Sequence, residues 1–162
     1  MRDSAIQTLT IRTMRIQDYE DVVELWHHIE GFYIRSIDDS KEGIERFLLR
    51  NPNTSVVATI TTAKCTQVIG SILCGHDGRY GSLYHVCVRQ EFRKQGVGTK
   101  MVAYALEALK KEQISSISLI AFSDNIIGNA FWKKQGWERR LNTNRYEFSL
   151  DSNNVTTKII SP

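Results

Sequence analysis

Residues 86–99, Val86-Cys87-Val88-Arg89-Gln90-Glu91-Phe92-Arg93-Lys94-Gln95-Gly96-Val97-Gly98-Thr99, govern how the rest of the chain is read. An apolar run with strand character, Ser82 to Val88, leads into a basic, glycine-bearing turn, and a helical pattern follows at once. From Gly96 to Lys111 the residues Val97, Met101, Val102, Ala105, Ala108 and Leu109 fall on one helix face. Strand, tight turn and helix in that order form a device for holding anions. The first amides of a helix lack an internal partner, and aligned peptide dipoles add about half a positive charge there. Gly96 and Gly98 carry no side chain, so a diphosphate can approach the main chain beside Arg93 and Lys94. The spacing is not Gly-x-x-x-x-Gly-Lys-Ser/Thr, and Met101 stands where a dinucleotide fingerprint needs its third glycine. Taken alone, the turn reads equally well as a plain strand-to-helix junction without a ligand.

Upstream, Thr8 to Met14 alternates like a strand, and Asp18 predicts a helix cap with Glu20 and Asp21 in the first turn. Tyr19, Val22, Val23, Trp26 and Ile29 follow at helical spacing, and Gly31 is the stop. A second helix is expected from Asp39, with Glu42 completing a capping box and Ile44, Phe47 and Leu48 facing inward, ending before Asn51-Pro52. Thr54 to Ile60 and Gln67 to Cys74 are rich in β-branched residues. Gly75-His76-Asp77-Gly78-Arg79-Tyr80-Gly81 is a loop. Downstream, Ser116 to Phe122 predicts a strand, Ile126 to Lys134 a short helix, and Trp137 to Leu141 with Arg145 to Leu150 a closing antiparallel pair. One domain over residues 1–150 is expected, with residues 151–162 as a polar tail that frays.

Composition narrows the field. The 162 residues carry 21 basic and 18 acidic side chains, a net charge of +3. That excess is too small and scattered to argue for nucleic acid, and the basic pairs lack interleaved aromatics. Cys65, Cys74 and Cys87 fit neither a disulfide framework nor a zinc pattern, and no metal is expected. Met1 to Gln7 has no signal core, and no stretch approaches the ~20 apolar residues of a membrane span. A reducing cytoplasm and no membrane partner are the expectation.

Two stretches together resemble the GNAT acetyltransferase superfamily. Arg93-Lys94-Gln95-Gly96-Val97-Gly98 is similar to its Arg/Gln-x-x-Gly-x-Gly/Ala acetyl-CoA motif, and the segment from Asn125 to Trp137, with Ala130, Phe131 and Trp132, is similar to its Asn-x-x-Ala-x-x-Phe-Tyr…Gly-Phe element. The likeness runs from Thr8 to about Leu150. It implies an α/β (α+β) GNAT fold, with a mixed sheet of about seven strands, four flanking helices, and fourth and fifth strands that splay apart. It also implies acetyl-CoA as cosubstrate and N-acetyl transfer to a primary amine, on a small molecule or a protein N-terminus, by direct attack. In such proteins Val86, Cys87 and Val88 would offer main chain to pantetheine. Arg93, Lys94, Gln95, Gly96, Val97, Gly98 and Thr99 would hold the diphosphate. Asn125, Gly128, Phe131 and Trp132 would meet the pantetheine and sulfur end. The acceptor is set by loops and the first two helices, and pairing of late strands makes a homodimer the expectation.

The sequence departs from that family where acid and base are expected. Trp132 stands at the usual tyrosine acid, and Ile120 and Ser82 stand near positions where relatives carry carboxylate bases. Tyr84, sharing strand parity with Val86 and Val88, is the catalytic candidate, and His85 is expected on the opposite face. His76 and Asp77 read as turn chemistry. Tyr33 and Tyr80 are candidate walls of the acceptor site, and Trp26 reads as core. The vacant acid and base positions keep a second reading open, a CoA-binding regulatory or catalytically degenerate domain.

Overall fold

The computed structural model describes residues 7–160, so the reading of the N-terminal segment from Met1 lies outside that range except for Gln7, as do Ser161 and Pro162 of the tail. Seven strands and four helices run in the order β1 (Thr8–Thr13), α1 (Tyr19–His27), β2 (Tyr33–Arg35), α2 (Lys41–Arg50), β3 (Val56–Thr61), β4 (Thr66–His76), β5 (Tyr80–Val88), α3 (Val97–Lys111), β6 (Ser116–Leu119), α4 (Ile126–Lys134) and β7 (Thr156–Lys158). The main sheet has the order β1-β3-β4-β5-β6, and β2 pairs with β7 in a separate ribbon. All contacts in the main sheet are antiparallel except β5 with β6. A parallel pair needs a crossover, which α3 supplies.

Strand alternation sends side chains to two opposed cores. Val56, Ala58, Cys74 and Leu83 pack beneath Val97, Met101, Ala105 and Leu109 of α3. Val57, Val68, Leu73 and Cys87 pack with Val22, Leu25 and Trp26 of α1 and Ile44 of α2. Cys74 and Cys87 are buried and Cys65 is exposed. Burial pushes the Cys74 thiol up to about 12 and that of Cys87 to about 11, so both behave as small apolar groups.

Asp18 heads α1 without capping it. Its carboxylate accepts from the Arg15 amide at 2.8 Å and takes both Arg12 guanidinium nitrogens at 2.7 and 2.8 Å. Burial alone raises its carboxyl; Arg12 and the Arg15 amide outweigh that and hold it below the usual range. A carboxyl lowered by folding stabilises above its unfolded value and loses that contribution as pH falls through the folded one. We therefore predict that Asp18→Asn costs about 1–3 kcal/mol at neutral pH, with the gap from wild type closing below about pH 4. Urea midpoints at several pH values read this directly. A gap that stays constant into acid would refute the ionic account.

Two expectations are corrected here. Residues 138–150 form no strand pair; Tyr146, Phe148 and Leu150 keep their alternation yet stand 89, 89 and 95% exposed. Alternation says which face seeks burial but supplies no ladder partner, and β6, the edge strand, is only four residues long. The tail up to residue 160 is not a frayed end either. Its residues Thr156–Lys158 pair with Tyr33–Arg35, and Asn154 Oδ1 accepts from the Ile37 amide at 3.0 Å. The seven strands thus divide as five plus two. β2, a three-residue strand, has no legible periodicity, and its partner lies more than 120 residues away in sequence.

Candidate active site

The site begins where two strands part. β5 and β6 pair from Tyr80 with Ser116 to Leu83 with Leu119, and no register continues beyond. β6 ends there, three residues short of the expected Phe122, and Ile120 and Phe122 are exposed. The edge of β5 from Tyr84 to Val88 is left without a strand neighbour on that side, which is the expected splay. Main-chain groups on such an edge can take an extended ligand as a strand would.

β5 also carries a bulge that sequence parity does not reveal. Leu73 pairs with Tyr84 and Ser71 with Cys87, so three steps along β5 match two along β4. His85 takes φ +50°, in the left-handed region. Parity is therefore reset. Val86 and Val88 pack on the α3 side with Leu83, whereas Tyr84 meets Phe47 of α2 edge-on and His85 meets Trp26 of α1. The parity argument linking Tyr84 to Val86 and Val88 fails, and His85 shares the α1–α2 face with Tyr84. Cys87 points to that face as well, its Sγ 3.5 Å from Ser71 Oγ, so it offers the splay main chain and not its thiol.

The turn behind β5 alternates hand, with Lys94 at φ +61° and Gly96 at φ +79°. Such an alternation gathers amides into an anion-binding concavity. Among the described residues, the amides of Lys94, Gln95, Gly96, Val97, Gly98 and Thr99 meet no acceptor, and α3 opens without a side-chain cap. Arg93 is different. Its amide donates to Gln90 at 3.2 Å and its Nε to the Val88 carbonyl at 2.9 Å, drawing the side chain back along β5. A β-carbon at Gly96 would meet nothing within 4 Å, so the concavity is open to solvent there.

α4 is clamped to this turn. A β-carbon on Gly98 would stand 3.3 Å from the Phe131 ring, and Gln135 Nε2 donates to Thr99 Oγ1 at 2.9 Å. Phe131 meets Trp132 edge-on at 4.9 Å, and Trp132 leans on Trp137 at 5.0 Å. Asn125 caps α4, its Oδ1 accepting from the Gly128 amide at 2.9 Å; a β-carbon on Gly128 would lie 2.5 Å from Asn125 Nδ2. Gly128 therefore makes room for the cap, and Asn125 keeps its amide group for other partners.

Across the α1–α2 face lies a group that the sequence reading assigned elsewhere. Ser40, not Asp39, caps α2, accepting from the Gly43 amide at 3.1 Å. That shift of one residue frees Asp39, which is buried and accepts from the Arg35 amide at 2.7 Å and meets His85 Nε2 at 2.7 Å. A buried Arg89 pairs with Glu24 of α1, and Trp26 Nε1 donates to Ser71 Oγ at 2.9 Å. Tyr33 of β2 packs on Phe122 at 4.8 Å, bringing the β2–β7 ribbon beside the segment that leaves β6. His76 and Asp77 are consumed by their turn: His76 Nδ1 accepts from Gly78, and Asp77 Oδ1 from Arg79 and Tyr80. Those amides hold the Asp77 carboxyl below its usual range. Tyr80 lies at the paired end of β5, away from the splay.

Known proteins share this fold. A model described as acetyltransferase (GNAT) family matches residues 11–137. An acetyltransferase of Photorhabdus laumondii is 32% identical over 117 residues, covering 72% of this chain and 78% of its own length. One from Sodalis glossinidius is 28% identical over 130 residues, covering 80% and 87%. Among solved structures, Ard1 from Thermoplasma volcanium superposes with a TM-score of 0.64 at 23% identity over 79% of this chain and 81% of that one. AAC(6')-Iy in complex with a CoA bisubstrate analog does so with a TM-score of 0.65 at 15% identity, over 88% and 99%. The splayed sheet and its open amide turn lie within the matched span, and the chain belongs to the acetyltransferase (GNAT) family, whose acetyl donor is acetyl-CoA.

Proposed function

We propose that the chain is an N-acetyltransferase that moves the acetyl group of acetyl-CoA to a primary amine, on a small molecule or a peptide N-terminus, by direct attack within a ternary complex. The observation that carries this reading is the conjunction of a parted strand edge with a row of unpartnered amides one turn away. In this reading the amides from Lys94 to Thr99 take the diphosphate, with Lys94 beside them. The main chain of Val86, Cys87 and Val88 takes the pantetheine arm along the free edge of β5. Asn125 would offer its Nδ2 from the other wall, and Phe131 with Trp132 would line the sulfur.

The amine would enter from the α1–α2 face, past Tyr84, which is half exposed there. Holding amine and thioester together is worth roughly 7–11 kcal/mol when the geometry is right. A main-chain amide of β5 aimed at the carbonyl oxygen would add stabilisation of the charge that develops on it. Trp132 cannot protonate the departing sulfur, but a thiolate leaves with little acid help compared with an alkoxide.

The test is a thiol-release screen with purified protein and acetyl-CoA over small amines, amino acids and N-terminal peptides. We predict release that depends on one class of amine. Tight binding of coenzyme A with no release from any of them would instead favour a regulatory CoA-binding domain.

A further inference from the structure

We propose that His85 is the general base of the reaction and that Asp39 is the residue that positions it. This rests on the acetyl-transfer reading above and adds the group that makes the amine reactive. His85 stands two residues past the last β5–β6 pair, on the bulge, at the mouth of the splay. Its ring packs against the stacked pair of Trp26, centroid 4.6 Å away, and Phe32, 4.8 Å away. Nε2 is 2.7 Å from Asp39 Oδ1. Asp39 in turn is held at both ends: Oδ2 accepts from the Arg35 amide and its carbonyl from the Tyr19 hydroxyl at 2.9 Å.

The chemistry follows from the partners. An ionised carboxylate only accepts, so Nε2 must carry the hydrogen, and the neutral ring then presents its lone pair on Nδ1. Among the described residues Nδ1 has no partner, and the His85 side chain keeps 21% of its exposure. A ring held by two aromatics and a buried carboxylate, with one free nitrogen on a partly exposed side chain beside the free edge of β5, is the arrangement of an oriented base. The left-handed backbone is a second sign. A non-glycine residue there is strained, and such strain persists where the surroundings over-determine it, often at reactive sites.

In the proposed step His85 Nδ1 takes one proton from the ammonium form of the acceptor. The freed lone pair forms the C–N bond to the acetyl carbonyl, the C–S bond breaks with its electron pair on sulfur, and a second amine proton ends on the thiolate as coenzyme A thiol. The proton on His85 passes to water. The groups packed about the ring are Trp26 from α1, Phe32 from the segment before β2, and Asp39 from the segment before α2, with Tyr84 preceding it on β5.

The test uses the full chain and the amine that releases thiol fastest in the screen. For His85→Gln we expect kcat/KM at pH 7 to fall about 100-fold or more, with coenzyme A affinity unchanged. The acid limb of the wild-type pH profile should disappear in the same variant. Asp39→Asn should keep the fold, lower kcat more than it raises KM, and move the limb, because the ring loses its orienting acceptor. His85→Asn, which tolerates positive φ, serves if His85→Gln does not fold. An acid limb that survives in either His85 variant, or a loss of stability with kcat unchanged, overturns this inference and leaves acetyl transfer standing. No thiol release by wild-type protein overturns both.

Discussion

Gly96→Asp is expected to weaken coenzyme A binding about 100-fold while leaving the fold intact, a change of about 2.8 kcal/mol. The fold should survive because the position is open, with nothing within 4 Å of a β-carbon. Its φ of +79° is also a conformation that aspartate tolerates better than most residues. The ligand should suffer because a carboxylate would then sit among amides proposed to hold a diphosphate. Gly96→Asn has the same shape without the charge and should lose only about tenfold. Isothermal titration of coenzyme A against the three proteins separates charge from bulk. Equal affinity in a folded Gly96→Asp would move the diphosphate away from this turn.

The second large effect concerns stability. Gly43→Ala is expected to cost about 3 kcal/mol, because a β-carbon there would lie 2.3 Å from the Ile37 carbonyl oxygen and 2.4 Å from that of Asp38. Neither atom is the end of a flexible side chain, so the turn itself must move. That turn carries Asp39 and receives Asn154 from the C-terminal segment, so turnover should fall further than stability alone explains. Gly31→Ala is the control. It has φ +78° but nothing within 4 Å, and should cost only about 1–2 kcal/mol of backbone strain. Urea midpoints compare the two. If Gly43→Ala is no worse than Gly31→Ala, the contact relaxes and the 37–38 turn is softer than it looks.

These two glycines behave differently for a reason visible at different levels. Gly96 follows from local rules: a basic turn between a strand and a helix needs a residue that permits left-handed backbone and close approach. Gly43 follows from none of them. Inside a helical pattern it reads as a weak spot, and only the packing of a distant turn against the first turn of α2 explains it.

The same division runs through the molecule. Four helices, five main strands and the glycine-bearing turn with its unpartnered amides were legible because each depends on periodicity, capping chemistry or glycine placement over a few neighbouring residues. α4 runs over its expected residues, Ile126–Lys134. The faces of β5 beyond Leu83 were not legible, since one bulge residue inverts every later side chain and no local signal marks it. The Asp39–His85 contact spans 46 residues and depends both on that bulge and on a cap shifted to Ser40. Pairing of β2 with β7 joins segments too short to announce themselves. Local hydrogen bonding and hydrophobic repeat are written along the chain and name the family. Which side chains converge on the candidate site depends on register and long-range packing, where a shift of one residue exchanges the α3 face of the sheet for the α1–α2 face.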